Sequence, residues 1–400
     1  MNFIKKKIRK FLFFLIYPLI IIIEIIKPIK LIKLCQIKTA FIGTYVQEVD
    51  AYFFHKIDEK QKNENYKIIF FEGKLISNSY IRNISRRFMH VKNFSRVLKF
   101  LYESLEYWKK KDHLFYLSDY WTRNLTKDKI TSRNIFIPNC KKNENNKGIE
   151  LLENLGIPKN AEWICISNRD SAYKKKYIPK FNLSYHDHRN FSVKSLVPAA
   201  EYFANKGYYV VRMGSIVEEK LGSENKKVID YANSNFVNDF SDIFLLANCK
   251  AYFGSDTGIN AVSDVFSKKV YFINFTSTQL FHLTTFNYGR LLTVKRIGDK
   301  TTGKLLSMKE ILGSNFAYSW RYDDFQRNGA VPVSNTSEEI KNFAEEVYYN
   351  IENGKPKKED VEIQEAFWQN YTKYVDKEKL GHHRPHLGAD FLRQNIDLLG

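Results

Sequence analysis

The chain has 400 residues, 44% of them hydrophobic and 15% aromatic, and a formal net charge of +19. That length allows two to three domains of about 100–200 residues each, and the abundance of Ile, Leu, Phe and Tyr excludes a disordered chain. Four widely separated cysteines, Cys35, Cys140, Cys165 and Cys249, form no CxxC pair, which excludes a disulfide framework and makes a reduced compartment the default.

The charge leaves three partners open: nucleic acid, an anionic membrane, or a phosphate-bearing substrate. No helix-turn-helix, zinc-finger or aromatic RNA-strand signature accompanies it, so nucleic acid is set aside. Part of the excess is local, because nine lysines and arginines oppose Glu24 alone in the first forty residues.

Residues 11–26 read FLFFLIYPLIIIIEII. A spanning helix needs about 20 apolar residues, and this run is shorter and broken by Pro18 and Glu24. No small-residue cleavage site follows, which argues against a signal peptide. Basic residues flank both ends, whereas a simple span would place them on one side. Residues 1–35 are therefore expected to form an interfacial or re-entrant anchor, with a single span as the alternative. In either case the remaining domains face the cytoplasm, on the inner membrane.

Beyond the anchor, KTAFIG (38–43), YKIIFFEG (66–73), HLFYLS (113–118) and NIFIP (134–138) predict short buried strands separated by helices near 45–58 and 94–110. This β-α-β order predicts a parallel sheet covered by helices, a first Rossmann-like domain over 36–148. The polar run CKKNENNKG (140–148) is expected to be a linker. Within the first domain, Glu48 and Asp50 follow the Gly43-Thr44 strand end and are candidate general bases, with a solvated helix face as the alternative for each.

A second alternating set, 149–355, begins with strand AEWICIS (161–167) and the loop Ser167-Asn168-Arg169-Asp170. Helix SLVPAAEYFANKG ends on Gly207, and strand YYVVRMG carries Arg212 and Gly214 to its end. Strand AYFGSDTG (251–258) runs into a helix, KVYFINF (269–275) is another strand, and Thr336 and Glu339 form a capping box ahead of an apolar stripe. Residues 356–400 are expected to be a helical tail.

Ligands of open parallel sheets bind beyond the carboxyl ends of strands. Three strand-end loops fit that position. Arg169 can fork onto a diphosphate, or pair with Asp170. Arg212 points either into the cleft or at a buried acid, and Gly214 permits close backbone approach. Gly254-Ser255-Asp256-Thr257-Gly258 offers amides, two hydroxyls and a helix start to an anion, although it matches neither the GxGxxG nor the Walker pattern. His186-Asp187-His188 and His382-His383-Arg384-Pro385-His386 show no ligand spacing for a metal and are expected to be solvated loops. No GxSxG or HExxH motif is present, which counts against hydrolases.

The segments NRDSAY (168–173), HDHRN (186–190), AAEYFANKGYYVVRMG (199–214), VIDYANS (228–234), DFSDIFLLANCKAYFGSDTG (239–258) and VFSKKVYFINF (265–275), with Gly43–Tyr52 and FLRQNIDLL (391–399), resemble a family of bacterial glycosyltransferases associated with surface-polysaccharide loci. The GSDTG loop is similar to the donor-phosphate loop of heptosyltransferases, although Ile259 and Asn260 follow where those have Pro and His. Arg169 is similar in placement to the diphosphate-binding arginine of fucosyltransferases, although Ser167 stands where those have His.

The resemblance implies an α/β fold of two Rossmann-like domains (GT-B), a nucleotide-sugar donor as co-substrate, and no cofactor or obligatory metal. It would place Arg169, Arg212, Ser255, Thr257 and Gly258 around the donor, where Gly214 is a further donor-binding candidate; Asp239 and Asp242, ahead of the GSDTG strand, either bind the ribose or cap the helix. Glu48 would then be the base, and the acceptor a cell-envelope polysaccharide or lipid-linked glycan. Pyruvyl or phospho-sugar transfer, and a non-catalytic membrane-bound scaffold, are the competing readings.

Overall fold

The computed structural model describes residues 2–62, 66–119, 142–177, 184–284 and 290–399. The chain divides into two compact units, Met1–Pro138 and Asn139–Gly400.

The first unit opens with helices Asn2–Leu15 and Tyr17–Ile26. Pro18 lies in the first turn of the second helix, where its missing N–H leaves no bond unmade. One edge of the pair packs down. The Trp108 indole donates to the Phe13 carbonyl at 3.1 Å, and Tyr17 lies 4.4 Å from the same ring, centroid to centroid. Glu24 pairs with Lys110, and Lys27 with Asp112. Among the described residues no helix is long and apolar enough to cross a membrane.

A parallel three-stranded sheet follows, β1 (Leu31–Ile37), β2 (Tyr66–Glu72) and β3 (Val91–Lys92), in that order. The first strand thus begins seven residues before the predicted one. Leu31–Ile37 pairs residue for residue with Tyr66–Glu72, and the predicted strand 38–43 is instead the turn into helix Ile42–Lys62. Its KxxKLIKL composition belongs to an edge strand with solvated lysines, easily mistaken for the basic flank of the anchor. The predicted strand 113–118 contributes only one bridge, Leu34 to Leu114. The predicted strand 134–138 lies outside the described residues.

The second unit is a twisted sheet in the order β10-β9-β8-β7-β4-β5-β6. Its strands are β4 (Trp163–Ser167), β5 (Tyr209–Arg212), β6 (Val228–Ile229), β7 (Ala251–Gly254), β8 (Lys269–Thr276), β9 (Leu291–Asp299) and β10 (Ala330–Val333). All neighbours are parallel except β10, which runs antiparallel to β9. Seven of the eight residues of β8 are buried, as a strand covered on both faces requires.

Alternation sorts the faces. Ile164 and Ile166 of β4 join Phe203, Phe343, Ala344 and Val347 of helices Val197–Asn205 and Ser337–Asn353 in one core. Trp163 and Cys165 point the other way and donate to the Leu245 carbonyl of helix Asp239–Asn248. Cys35, Cys165 and Cys249 are all buried. The capping box at Thr336 and Glu339 is present.

Two expectations change here. The expected 140–148 linker is, over its described part 142–148, helix instead, because 142–154 is helical and Gly148 rests on Phe244, 2.7 Å from its Cδ2 for a Cβ built there and nearer still to the outer ring. The C-terminal segment is helical over Lys358–Tyr374 but does not stand apart. Its strand β11 (His386–Leu387) adds beside β9, held by Gln364, which donates to the Leu387 carbonyl at 2.6 Å and accepts from its amide at 2.9 Å.

Candidate anion site at the switch point of the second sheet

From β4 the chain moves to β5 on one side, and from β7 to β8 on the other, so the strand order reverses between β4 and β7. Crevices form at such points, beyond the carboxyl ends of the strands. The two strand ends are in register, Ser167 opposite Gly254, and the Ser255 amide donates to the Ser167 carbonyl at 3.1 Å. Tyr252 braces the junction. Its hydroxyl bonds to Ser167 Oγ, donates to the Ser255 carbonyl at 2.9 Å, and lies 3.3 Å from Thr257 Oγ1. The loops carrying Arg169 and Ser255 are thereby fixed side by side.

Asp170 does not neutralise Arg169. Its carboxylate accepts from the Ala172 amide at 3.0 Å and the Glu218 amide at 3.1 Å. The Arg169 Nε is buried and makes no hydrogen bond among the described residues. Burial, and then the neighbouring Arg189, push its guanidinium down to about 10, against the weaker pull of Asp256, Asp187 and Asp170, none of which bonds it directly. Ser255 is 1% exposed, and its Oγ likewise has no hydrogen-bond partner among the described residues.

Arg189 leaves the turn Ser184–Arg189 and reaches across to Asp256, bonding its backbone carbonyl and, at 2.7 Å, its carboxylate. Lys295 reaches in from β9. It is 3% exposed, donates to the Asn190 carbonyl at 2.9 Å, and has no carboxylate partner among the described residues; burial lowers its ammonium to about 8. Lys174 lies 3.4 Å from Asp187. Arg169, half-buried, and Lys295, buried, are thus two cations whose charge no carboxylate takes up by direct contact among the described residues. Burying an ion unpaired is costly, and a bound anion would offset that cost.

The sequence suggested solvated histidines here, but His188 is buried and His186 half-buried. Burial and then Arg189 drive both imidazoles down to about 3, so each is neutral at pH 7. Among the described residues no three His, Cys, Asp or Glu side chains gather as a metal site would need.

The other candidates fall differently. Arg212 is fully buried and takes the second of its two expected roles, its fork held by Asp230 at 3.1 Å and Asn168 at 3.3 Å. Asp230 in turn accepts from the Leu221 amide. Gly214 has φ 156°, and what approaches it is protein, since a Cβ there would sit 2.6 Å from Val217. Asn238 caps the helix that follows it, leaving Asp239 in the first turn, where an acid suits the dipole. Asp242 is buried behind Tyr231, and burial raises it to about 6.

Two amides of the GSDTG loop are already used, that of Ser255 by Ser167 and that of Thr257 by Asn260 Oδ1 at 3.0 Å. Gly258 is exposed, and the helix beyond spans only Asn260–Val265. The positive potential here therefore comes mainly from side chains rather than from a helix start. Lys295 and Arg189 carry no sequence signal of their own. One sits within an unpredicted strand, and the other beside a histidine cluster.

In the first unit, Glu48 lies on helix Ile42–Lys62 and is buried rather than on a solvated face. Burial raises it to about 7, against Lys38, whose amide donates at 3.3 Å and whose ammonium is 3.7 Å away. Asp50 is also buried. A third buried acid, Glu72 at the end of β2, was not anticipated; it is gripped by Arg82 at 2.6 and 2.8 Å and by Arg86 at 2.8 and 3.1 Å. With both oxygens engaged, Glu72 is poorly placed to take a proton, whereas Glu48 is tuned near neutrality.

No family model matches the sequence, and no curated protein does. Among solved structures the chain is similar to E. coli ADP-heptose LPS heptosyltransferase II, at TM-score 0.35 and 10% identity over 60% of this chain and 83% of that one. It is also similar to a glycosyl transferase family 9 protein of Veillonella parvula, at TM-score 0.33 and 9% identity over 60% and 79%. A third is the E. coli heptosyltransferase WaaC solved with ADP, at TM-score 0.30 and 10% identity over 60% and 87%. All three are glycosyltransferases.

Proposed function

We propose that the protein is a glycosyltransferase that moves a sugar from a nucleotide donor to a cell-envelope polysaccharide or lipid-linked glycan. The observation that carries this reading is Arg169, a half-buried guanidinium without a directly bonded carboxylate at the switch point of the second sheet, with the buried Lys295 reaching the Asn190 turn that follows Arg189. A donor diphosphate supplies two negative charges and a row of acceptor oxygens, which match a guanidinium, an ammonium and the free hydroxyl of Ser255. Arg189, Thr257 and Gly258 border the same place.

In the reaction an acceptor hydroxyl oxygen bonds to the anomeric carbon as the bond from that carbon to the diphosphate oxygen breaks. The electron pair leaves on the diphosphate, where fixed cations lower the barrier by roughly 3–4 kcal/mol for each strong contact. The hydroxyl proton goes to a base, and Glu48, held near pH 7, is suited to accept it. Arg212, Gly214 and Asp239 support the site through its loops, and no residue of this scheme needs a metal.

The N-terminal helices support a membrane-surface location, on the cytoplasmic face of the inner membrane. Phe11, Phe14, Leu15, Leu19, Ile22 and Ile25 are exposed on them, beside the exposed Lys7 and Lys10. Apolar side chains at a headgroup boundary with lysines on anionic lipid are the pattern of an interfacial helix.

Calorimetry with pyrophosphate and with UDP, GDP, CDP and ADP on the full chain tests the reading. Binding of at least one nucleotide that is lost in Arg169→Ala supports it, whereas no binding of any of them overturns it.

A further inference from the structure

We propose that Tyr185, His186 and Trp320 form the stacking face for the nucleobase of the donor. The proposal rests on the diphosphate reading above and adds to it a second subsite.

The three rings form one cluster. Tyr185 and His186 have centroids 4.2 Å apart, and Trp320 lies 5.4 Å from the first and 5.5 Å from the second. Trp320 is 47% exposed although it sits among aromatic neighbours. The Arg321 guanidinium covers the Tyr185 ring at 5.1 Å and lies 5.9 Å from that of Trp320. Such a surface, aromatic and flanked by a planar cation, stacks flat π-systems.

The face is held rigid. The loop before Trp320 is pinned to the end of β8, with Thr278 Oγ1 donating to the Ser319 carbonyl at 2.6 Å and Gln279 Nε2 to the Tyr318 carbonyl at 3.0 Å. His186 shares the turn Ser184–Arg189 with Arg189, and Asn190, just beyond, accepts from Lys295. The stretch 184–190 therefore carries two of the three rings and touches the anion site, through Arg189 at Asp256 and the Asn190 carbonyl at Lys295. A ligand spanning both must bear an anionic group next to a flat ring, as a nucleoside diphosphate does across its ribose.

The polar groups of the face favour a base over a sugar. The carboxylates beside it are already engaged, Asp187 with Lys174, Asp323 with Arg321, and Asp324 with Ser319 and Arg327, so none is free to chelate vicinal hydroxyls. His186 Nδ1 is buried and makes no hydrogen bond among the described residues. Its imidazole stays neutral beside Arg189 and Arg169, so it can donate to or accept from a base edge.

The test compares pyrophosphate with UDP, GDP, CDP and ADP by calorimetry on the full chain, in wild type, Trp320→Ala, Trp320→Phe and His186→Ala. The expected result is that the tightest nucleotide binds at least fivefold better than pyrophosphate. Trp320→Ala should remove that advantage and leave pyrophosphate unchanged, while Trp320→Phe restores most of it. Indole fluorescence should be quenched by that nucleotide and not by pyrophosphate. If Trp320→Ala and His186→Ala weaken nucleotide and pyrophosphate equally, or neither, the base does not stack here and the diphosphate reading still stands. If pyrophosphate and all four nucleotides fail to bind wild type, both readings fall together.

Discussion

Gly254 ends β7 so close to Ser167 of β4 that a Cβ at its position would lie 2.9 Å from the Ser167 amide nitrogen and nearer still to its carbonyl oxygen. The obstacle is backbone on a central strand, which no side-chain rotation relieves. The juxtaposition of Arg169 with the 255–258 loop depends on this contact.

Gly254→Ala should therefore destabilise the second unit by about 1–3 kcal/mol, the usual cost of forcing extra volume into a packed interior. Chemical denaturation followed by tryptophan fluorescence measures it. Anion affinity should fall as well, because the two loops must separate. A variant with unchanged stability would show that the strand ends part freely, contrary to the register observed.

Arg169→Met should behave in the opposite way. The wild-type guanidinium is half-buried without a directly bonded acid, so an apolar side chain of similar length should leave stability unchanged or raise it. Nucleotide binding should be lost in the same protein. Gain of stability with loss of binding marks a group kept for a ligand; loss of both would mark a structural arginine.

The sequence made this arginine visible because it follows an apolar strand directly. Arg212 has the same local signature, yet Asp230 and Asn168 occupy it. Its partner Asp230 lies eighteen residues on, and only the β5–β6 pairing brings the two together. Lys295 was hidden for a related reason. Leu291–Asp299 alternates weakly, and a lysine in it looks solvated until β8 and the Asn190 turn close over it. Glu48 was read from its place after a strand, but its burial comes from tertiary packing that periodicity does not encode. The 140–148 run was misread because its polarity conceals the one small residue, Gly148, that lets the helix meet Phe244.

The exposed face of the first two helices should decide membrane attachment. Phe11→Ser with Leu15→Ser removes two exposed apolar side chains from it, whereas the Trp108 bond to Phe13 and its ring contact with Phe14, which hold the helices down, are left intact. Co-sedimentation with vesicles containing anionic lipid should drop several-fold in the double variant, and high salt should weaken the wild type further. Retention of full binding would move the attachment elsewhere.

Lys295 gives the donor site a pH dependence. Its folded pKa, about 8, lies below the unfolded value near 10.5, so the fold favours the neutral amine. The stability it contributes is present above the unfolded value and is lost as pH falls through about 8. Without ligand, unfolding free energy should rise between pH 8 and 10.5, and Lys295→Met should flatten that rise. Diphosphate binding requires the ammonium, so affinity should fall as pH climbs through 8. Affinity that is level from pH 7 to 9 would remove Lys295 from the site.

Glu48 carries the opposite sign. Its folded pKa, about 7, lies above the carboxylate's usual 4.5 because of burial, so the fold favours the protonated acid. Its stabilising contribution is complete below 4.5 and is lost as pH rises through about 7. Wild-type stability should therefore decline across that window, and Glu48→Gln, which cannot ionise, should decline less. As the base, Glu48 must be ionised to work, so turnover should rise through pH 7 while stability falls. Glu48→Gln should lose at least a hundredfold in kcat, the contribution usual for general-base catalysis, and bind the nucleotide donor as wild type does. A glutamine variant that turns over at the wild-type rate would remove Glu48 from the chemistry, and one that also loses donor affinity would make it a structural residue of the first unit.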